Sequence, residues 1–143
     1  MRRLFIMRKD LHMSPGKLAA QVAHCAEAYW THILMGMEAM RYEEMKWFLK
    51  TALVDSKIYD EYVCGSFTKT ICEAKNKTDL LKAQKKADDM GLEYGKDYGL
   101  IYDNCLAELT PEEDNGTTLT GIWFKPLPDD VAHSISRKYH LYV

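Results

Sequence analysis

Apolar residues fall into two kinds of run along this chain: short unbroken blocks, and longer stretches in which they recur every three or four positions. The first block, Leu4-Phe5-Ile6-Met7, predicts a buried strand over residues 3–8. A polar loop follows, and Ser14-Pro15 supplies an N-cap and a first-turn proline, so a helix is expected from about Pro15 to at least Thr31. The pattern weakens over residues 32–40, where Gly36 in a methionine-rich stretch suggests a turn or kink. Helical spacing returns in residues 42–53, with Met45, Phe48, Leu49 and Ala52 along one side, and a shorter helical piece is expected over residues 56–63. Met35, Met37, Met40 and Met45 read as helical core or a subunit contact rather than a binding surface. Residues 67–73 mix aromatic, Thr, Ile and Cys as a strand does. Asn76 or Thr78 can cap a helix that runs to about Met90 and stops at Gly91. Strands are expected over residues 98–102 and 118–124, separated by an acidic loop at residues 111–116; a helix then starts within residues 126–130, and residues 140–143 form a short closing strand.

That order predicts an α/β fold of three layers, α/β/α, around a mixed sheet of about four strands. At 143 residues and 47% hydrophobic the chain reads as a single domain, 1–143, with a substantial core. A formal charge of −2 argues against a protein that coats nucleic acid through many phosphate contacts. Local basic stretches remain, at Arg2, Arg3, Arg8, Lys9 and Lys17 and again from Lys75 to Lys86. They read equally as solvated faces or as a binding surface. Cys25, Cys64, Cys72 and Cys105 are scattered without a Cys-x-x-Cys pair or a leader sequence, which points to reduced thiols in the cytoplasm. No histidine has zinc-site spacing, so no metal and no cofactor are expected, and no apolar run approaches bilayer length.

Chemistry concentrates where the first strand passes into the first helix. Lys17, Gln21 and His24 are spaced i, i+4, i+7, which lines a cation, an amide and an imidazole along one face. Ala19, Ala23 and Ala26 form a neighbouring small-residue stripe expected to seat the helix against a sheet. The motifs Arg8-x-Asp10-Leu11-x-Met13 and Gly16-Lys17-Leu18-Ala19-Ala20-Gln21-Val22-Ala23-His24 resemble the opening of the type 2 peptidyl-tRNA hydrolases, the archaeal and eukaryotic-type family. The similarity continues along nearly the whole chain. Relative to the family pattern, the region around residues 29–64 is longer, and an added helical element is expected there.

The family's second signature, Asp-Ala-Gly-Arg-Thr, is matched by Asp103-Asn104-Cys105-Leu106-Ala107: the Asp is kept, while a cation and a hydroxyl are lost. The third is matched by Gly116 through Pro126, and counting back from Gly121-Ile122 puts Thr118 at the family's second Thr, with Thr117 as the adjacent alternative. The resemblance implies metal-free hydrolysis of the ester joining a peptide to the 3′ end of tRNA. It further implies that Asp103 positions or activates water and that Lys17 stabilises developing negative charge. Gln21 and His24 would orient, Thr118 would supply a hydroxyl, and the amides at Gly16 would face an anion. The partner implied is peptidyl-tRNA or another RNA end, and a homodimer is expected because family members often pair. A catalytically degenerate relative that binds tRNA, a nucleotide or a protein is the competing reading, favoured by Leu106 and Ala107.

Overall fold

The computed structural model describes residues 1–36 and 54–143. The helix expected over residues 42–53, three of the four methionines at residues 35–45, and residues 37–53 of the added segment at 29–64 therefore lie outside the described residues. The fold is built around strand β1 (Arg2–Arg8), whose residues beyond Arg2 are all buried. Strand β2 (Thr68–Ala74) pairs parallel to it on one side, and β4 (Thr118–Phe124) pairs antiparallel on the other. β3 (Tyr98–Asp103) and the two-residue β5 (His140–Leu141) complete the edges, giving the order β3-β4-β1-β2-β5. The sheet is mixed, as expected, with five strands rather than about four.

Period-two alternation on β1 separates the two cores. Leu4 and Ile6 join Leu80, Ala83 and Ala87 of helix α3 (Lys77–Asp89) and Ala132 and Ile135 of α4 (Asp129–Ser136). Phe5 and Met7 face the opposite way, towards Cys25 and Tyr29 of α1 (Pro15–Gly36), Ile58 of α2 (Ser56–Ile58) and Trp123 of β4. α2 continues as a wider π-helical stretch, Tyr59–Ser66. Capping follows the sequence: Asn76 accepts from the Asp79 amide at 2.9 Å to open α3, and Gly91 takes a left-handed φ of 78° after its last turn. No helix among the described residues is long and apolar enough to cross a membrane.

The packing corrects one expectation and narrows one alternative left open by the sequence. Of the stripe only Ala26 packs against the sheet-facing core, while Ala19 and Ala23 are exposed; Leu18, Val22, Cys25 and Tyr29 carry most of the contact, because these bulkier side chains have more area to remove from water. The N-terminal basic stretch is not a patch. Arg2 pairs with Asp129, Lys9 with Glu73 and Lys17 with Asp103, while buried Arg8 is shared between Asp10 and Glu112.

Arg3, only 1% exposed, is the remaining member of that stretch. It meets no carboxylate among the described residues. Its guanidinium donates to the carbonyls of Phe124 (3.1 Å), Ala26 (2.5 Å) and Cys25 (3.0 Å), and lies over the Phe5 ring at 4.9 Å. It thereby ties α1 to β4 across β1. An Arg3→Met substitution keeps most of the volume but abandons those carbonyls, and should lower the unfolding free energy by about 2–4 kcal/mol. Urea denaturation checks this, and an unchanged midpoint would mean the guanidinium contributes nothing net.

Candidate functional site

β1, β2 and β3 all finish at one end of the sheet, and α1 and α3 begin there. Open α/β sheets offer ligand crevices at that end, outside the carboxyl ends of the strands. Asp103 is the last residue of β3, and Lys17 and Gln21 sit one and two turns into α1 above it. The Lys17 Nζ donates to Asp103 Oδ2 at 2.6 Å, and Gln21 Nε2 donates to the same oxygen at 3.0 Å. The other carboxylate oxygen, Oδ1, accepts the Cys105 amide at 3.0 Å. Lys17 and Asp103 side chains keep 17% and 11% of their surface exposed, so the pair is half-buried but reachable.

Burial alone would raise the Asp103 pKa. The Lys17 ammonium, the Cys105 amide and Gln21 outweigh it and hold the carboxyl below its ordinary value of 3.8. Gln21 is itself 1% exposed, and its amide is oriented from behind: Thr120 Oγ1 lies 2.7 Å from Gln21 Oε1 and 3.2 Å from the Ile101 carbonyl. Donation to Gln21 leaves the amide NH₂ pointing at Asp103.

Of the residues singled out from sequence, the fold brings Lys17, Gln21 and Asp103 together. Thr118 does not join them. Although it pairs with Asp103 across the two strands, its hydroxyl donates to the Thr110 carbonyl at 2.7 Å and accepts the Glu112 amide at 3.1 Å, holding the loop that precedes β4. Thr117 is also engaged locally, donating to Asn115 at 2.7 Å. The threonine hydroxyl that reaches the cluster belongs to Thr120. The register slips between Ile101 and Tyr102, whose partners are Gly121 and Leu119, and leaves Thr120 as the extra residue of a bulge. A count along the strand cannot see that slip. His24 is exposed on α1 and lines a groove next to the cluster, with no hydrogen bond to it among the described residues. Gly16 is exposed in the first turn of α1 with open space around its Cα.

Glu108 is a feature that local sequence does not signal. Its carboxylate accepts from the Ser14 amide (2.8 Å) and the Ser14 hydroxyl (2.9 Å), placing negative charge at the start of α1 where the helix dipole favours it. Ser14 Oγ in turn accepts the Lys17 amide at 3.3 Å. The helix start expected to face an anion is thus already partly served by the protein's own carboxylate. Between Asp103 and Glu108 the loop carries Cys105 at φ 56° and the exposed Leu106 and Ala107.

With this geometry in view, the comparisons with known proteins are specific. The family model described as peptidyl-tRNA hydrolase PTH2 matches residues 1–142. The chain belongs to that family. It is 33% identical over 86 residues to the peptidyl-tRNA hydrolase of Thermoplasma volcanium, covering 60% of this chain and 58% of the relative's length. It is 23% identical over 133 residues to the peptidyl-tRNA hydrolase of Saccharolobus solfataricus, covering 93% and 92%. PTH2 membership supports a hydrolase-like function.

A pH dependence follows from the depressed Asp103 pKa. The ionised carboxylate contributes stability above the unfolded-state value, and that contribution is lost as pH falls through the lower folded-state value. Asp103→Asn should therefore lose less stability than the parent between about pH 5 and pH 2, measured as denaturant midpoints across that range. Parallel curves for the two proteins would show that Asp103 is not held in the ionised form.

Proposed function

We propose that this chain is a peptidyl-tRNA hydrolase that cleaves the ester between a peptide and the 3′ end of tRNA at the Lys17–Asp103 cluster. The observation that carries the reading is one carboxylate oxygen accepting from both Lys17 and Gln21 at the open end of the sheet. An ammonium has three donors, and one is spent on Asp103. The others can meet the ester carbonyl oxygen as it gains negative charge, without reorganising when the reaction occurs. Asp103, kept below the ordinary carboxylate range, is a weak proton acceptor at neutral pH. Its role is to hold Lys17 at the carbonyl and to orient the attacking water. Gln21, locked by Thr120, is a positioning residue for that carboxylate. As the C–O bond breaks, the ribose oxygen leaves as an alkoxide and takes up the proton given up by the attacking water, so no net proton is gained or lost by the site.

The second reading, a relative that binds the RNA end without turning it over, is favoured by the mouth of the site. Leu106 is 90% exposed there, where the family pattern carries a cation, and Ala107 stands where the pattern has a hydroxyl.

Release of labelled peptide from peptidyl-tRNA separates the two. Lys17→Ala should lower kcat about 100-fold or more, the loss typical of removing one oxyanion donor. Thr120→Val should lower kcat by about tenfold while leaving KM within about twofold, because it frees the Gln21 amide without touching substrate. A parent protein no faster than the Lys17→Ala, Asp103→Ala double variant, under conditions where an archaeal relative is active, would sink the hydrolase reading. In that event the binding reading still requires RNA affinity that falls with added salt. If the Leu106 and Ala107 replacements limit turnover, Leu106→Arg with Ala107→Thr should raise kcat about tenfold or more in the same assay.

A further inference from the structure

A groove of about 400 Å³ lies between α1 and the outer edge of β3, its nearest lining residues to the cluster in sequence being His24, three positions after Gln21, and Ile101, two before Asp103. Its α1 wall carries His24, Ala28 and Thr31, and its β3 wall Gly99, Leu100 and Ile101. Buried Trp123 lies beneath, so close that a Cβ on Gly99 would come within 2.7 Å of its ring; a larger residue at 99 would displace the floor. β3 is an edge strand, and which of its main-chain groups face outward can be read from the turn before it. The Gly95 amide donates to the Tyr98 carbonyl at 2.7 Å, so Tyr98 presents its main chain away from β4. Antiparallel pairing alternates, and Leu100 and Tyr102 present theirs the same way. Neither has a main-chain partner on that side among the described residues. The free edge ends at Asp103.

We propose that the peptide of peptidyl-tRNA binds by adding a strand along this edge of β3. The inference rests on the hydrolase reading above and extends it to how the peptide is held. The ester must lie at Asp103, the carboxyl end of β3, so the peptide runs parallel to β3 with its amino-terminal residues towards Tyr94 and Gly95. Its amides and carbonyls pair with Leu100 and Tyr102, whose side chains are not consulted. Main-chain pairing of this kind takes any peptide sequence, which is what an enzyme acting on chains of arbitrary sequence needs. The 93–95 turn occupies the edge at Tyr98 and limits the added strand to a few residues.

The test is a set of peptidyl-tRNAs carrying one tetrapeptide in which each backbone amide is N-methylated in turn. Methylation deletes one donor and leaves the side chains alone. Every second position should raise KM about five- to tenfold, the loss of one main-chain hydrogen bond, while the intervening positions change KM less than twofold. A companion variant, Thr31→Trp, should abolish the fall in KM that accompanies lengthening the peptide from one residue to four. Hydrolysis of the unmethylated substrate with no alternation along the series overturns the strand and leaves the hydrolase reading standing. No hydrolysis of any substrate overturns both. Loss of activity with rising protein concentration would mean that a second copy takes the edge, which also overturns the proposal.

Discussion

One carboxylate joins elements 86 positions apart in the chain, and the open end of the sheet takes its shape from that join. Asp103 receives an ammonium and an amide on one oxygen and a main-chain N–H on the other. The amide that approaches Asp103 is itself held by a buried hydroxyl on β4. Exposed ion pairs contribute about 0–1 kcal/mol, and breaking a buried one costs about 3–5. With exposures of 17% and 11% the Lys17–Asp103 pair lies between these limits. It is dry enough for its geometry to be kept and open enough for a substrate atom to replace solvent beside it. A network closed on the protein side but open on one face is a preorganised arrangement in the sense catalysis requires.

The loop after Asp103 is pinned on both sides of the two positions that depart from the family pattern. On one side, Cys105 takes a left-handed φ of 56° that lets its amide turn back onto Asp103. The family pattern has glycine there, and a residue with a Cβ bears about 1–2 kcal/mol in that conformation. On the other side, Glu108 grips the amide and hydroxyl of Ser14. Leu106 and Ala107 lie between these anchors and are exposed at the mouth of the site.

Charge in this molecule is spent locally. Arg2, Arg8, Lys9, Lys17 and Lys77 all lie within ion-pair distance of a carboxylate, and Arg8 and Lys77 find theirs in the acidic stretch at residues 112–113. The Arg8 guanidinium holds Glu112 below the usual carboxylate range, which keeps the loop before β4 fastened to β1. The runs that look basic and acidic in sequence are largely partners of each other. On the proposals made above, recognition at this end of the sheet would depend on directed donors, chiefly Lys17 and the β3 edge left unpaired among the described residues, more than on a broad field.

The chain's own pattern was enough for the layers, because they depend on local periodicity: an unbroken apolar block for β1, capped amphipathic runs for α1 and α3, and Gly91 where α3 must end. The α/β class and the Lys17–Gln21 spacing on one helix face were legible there, whereas Asp103 stood out only through the resemblance of residues 103–107 to the family's second signature. Three things were not. Alternation could not reveal the extra residue that puts Thr120, and not Thr118, behind Gln21, since a bulge is a property of two strands together. Composition could not show that Glu108 caps a helix 94 positions earlier in the chain, or that Arg8 would be claimed by Asp10 and Glu112. The side of α1 that is buried turned on Leu18, Val22, Cys25 and Tyr29 outcompeting the alanine stripe for the sheet. Periodicity is written residue by residue, whereas pairing partners and register exist only once distant segments have met.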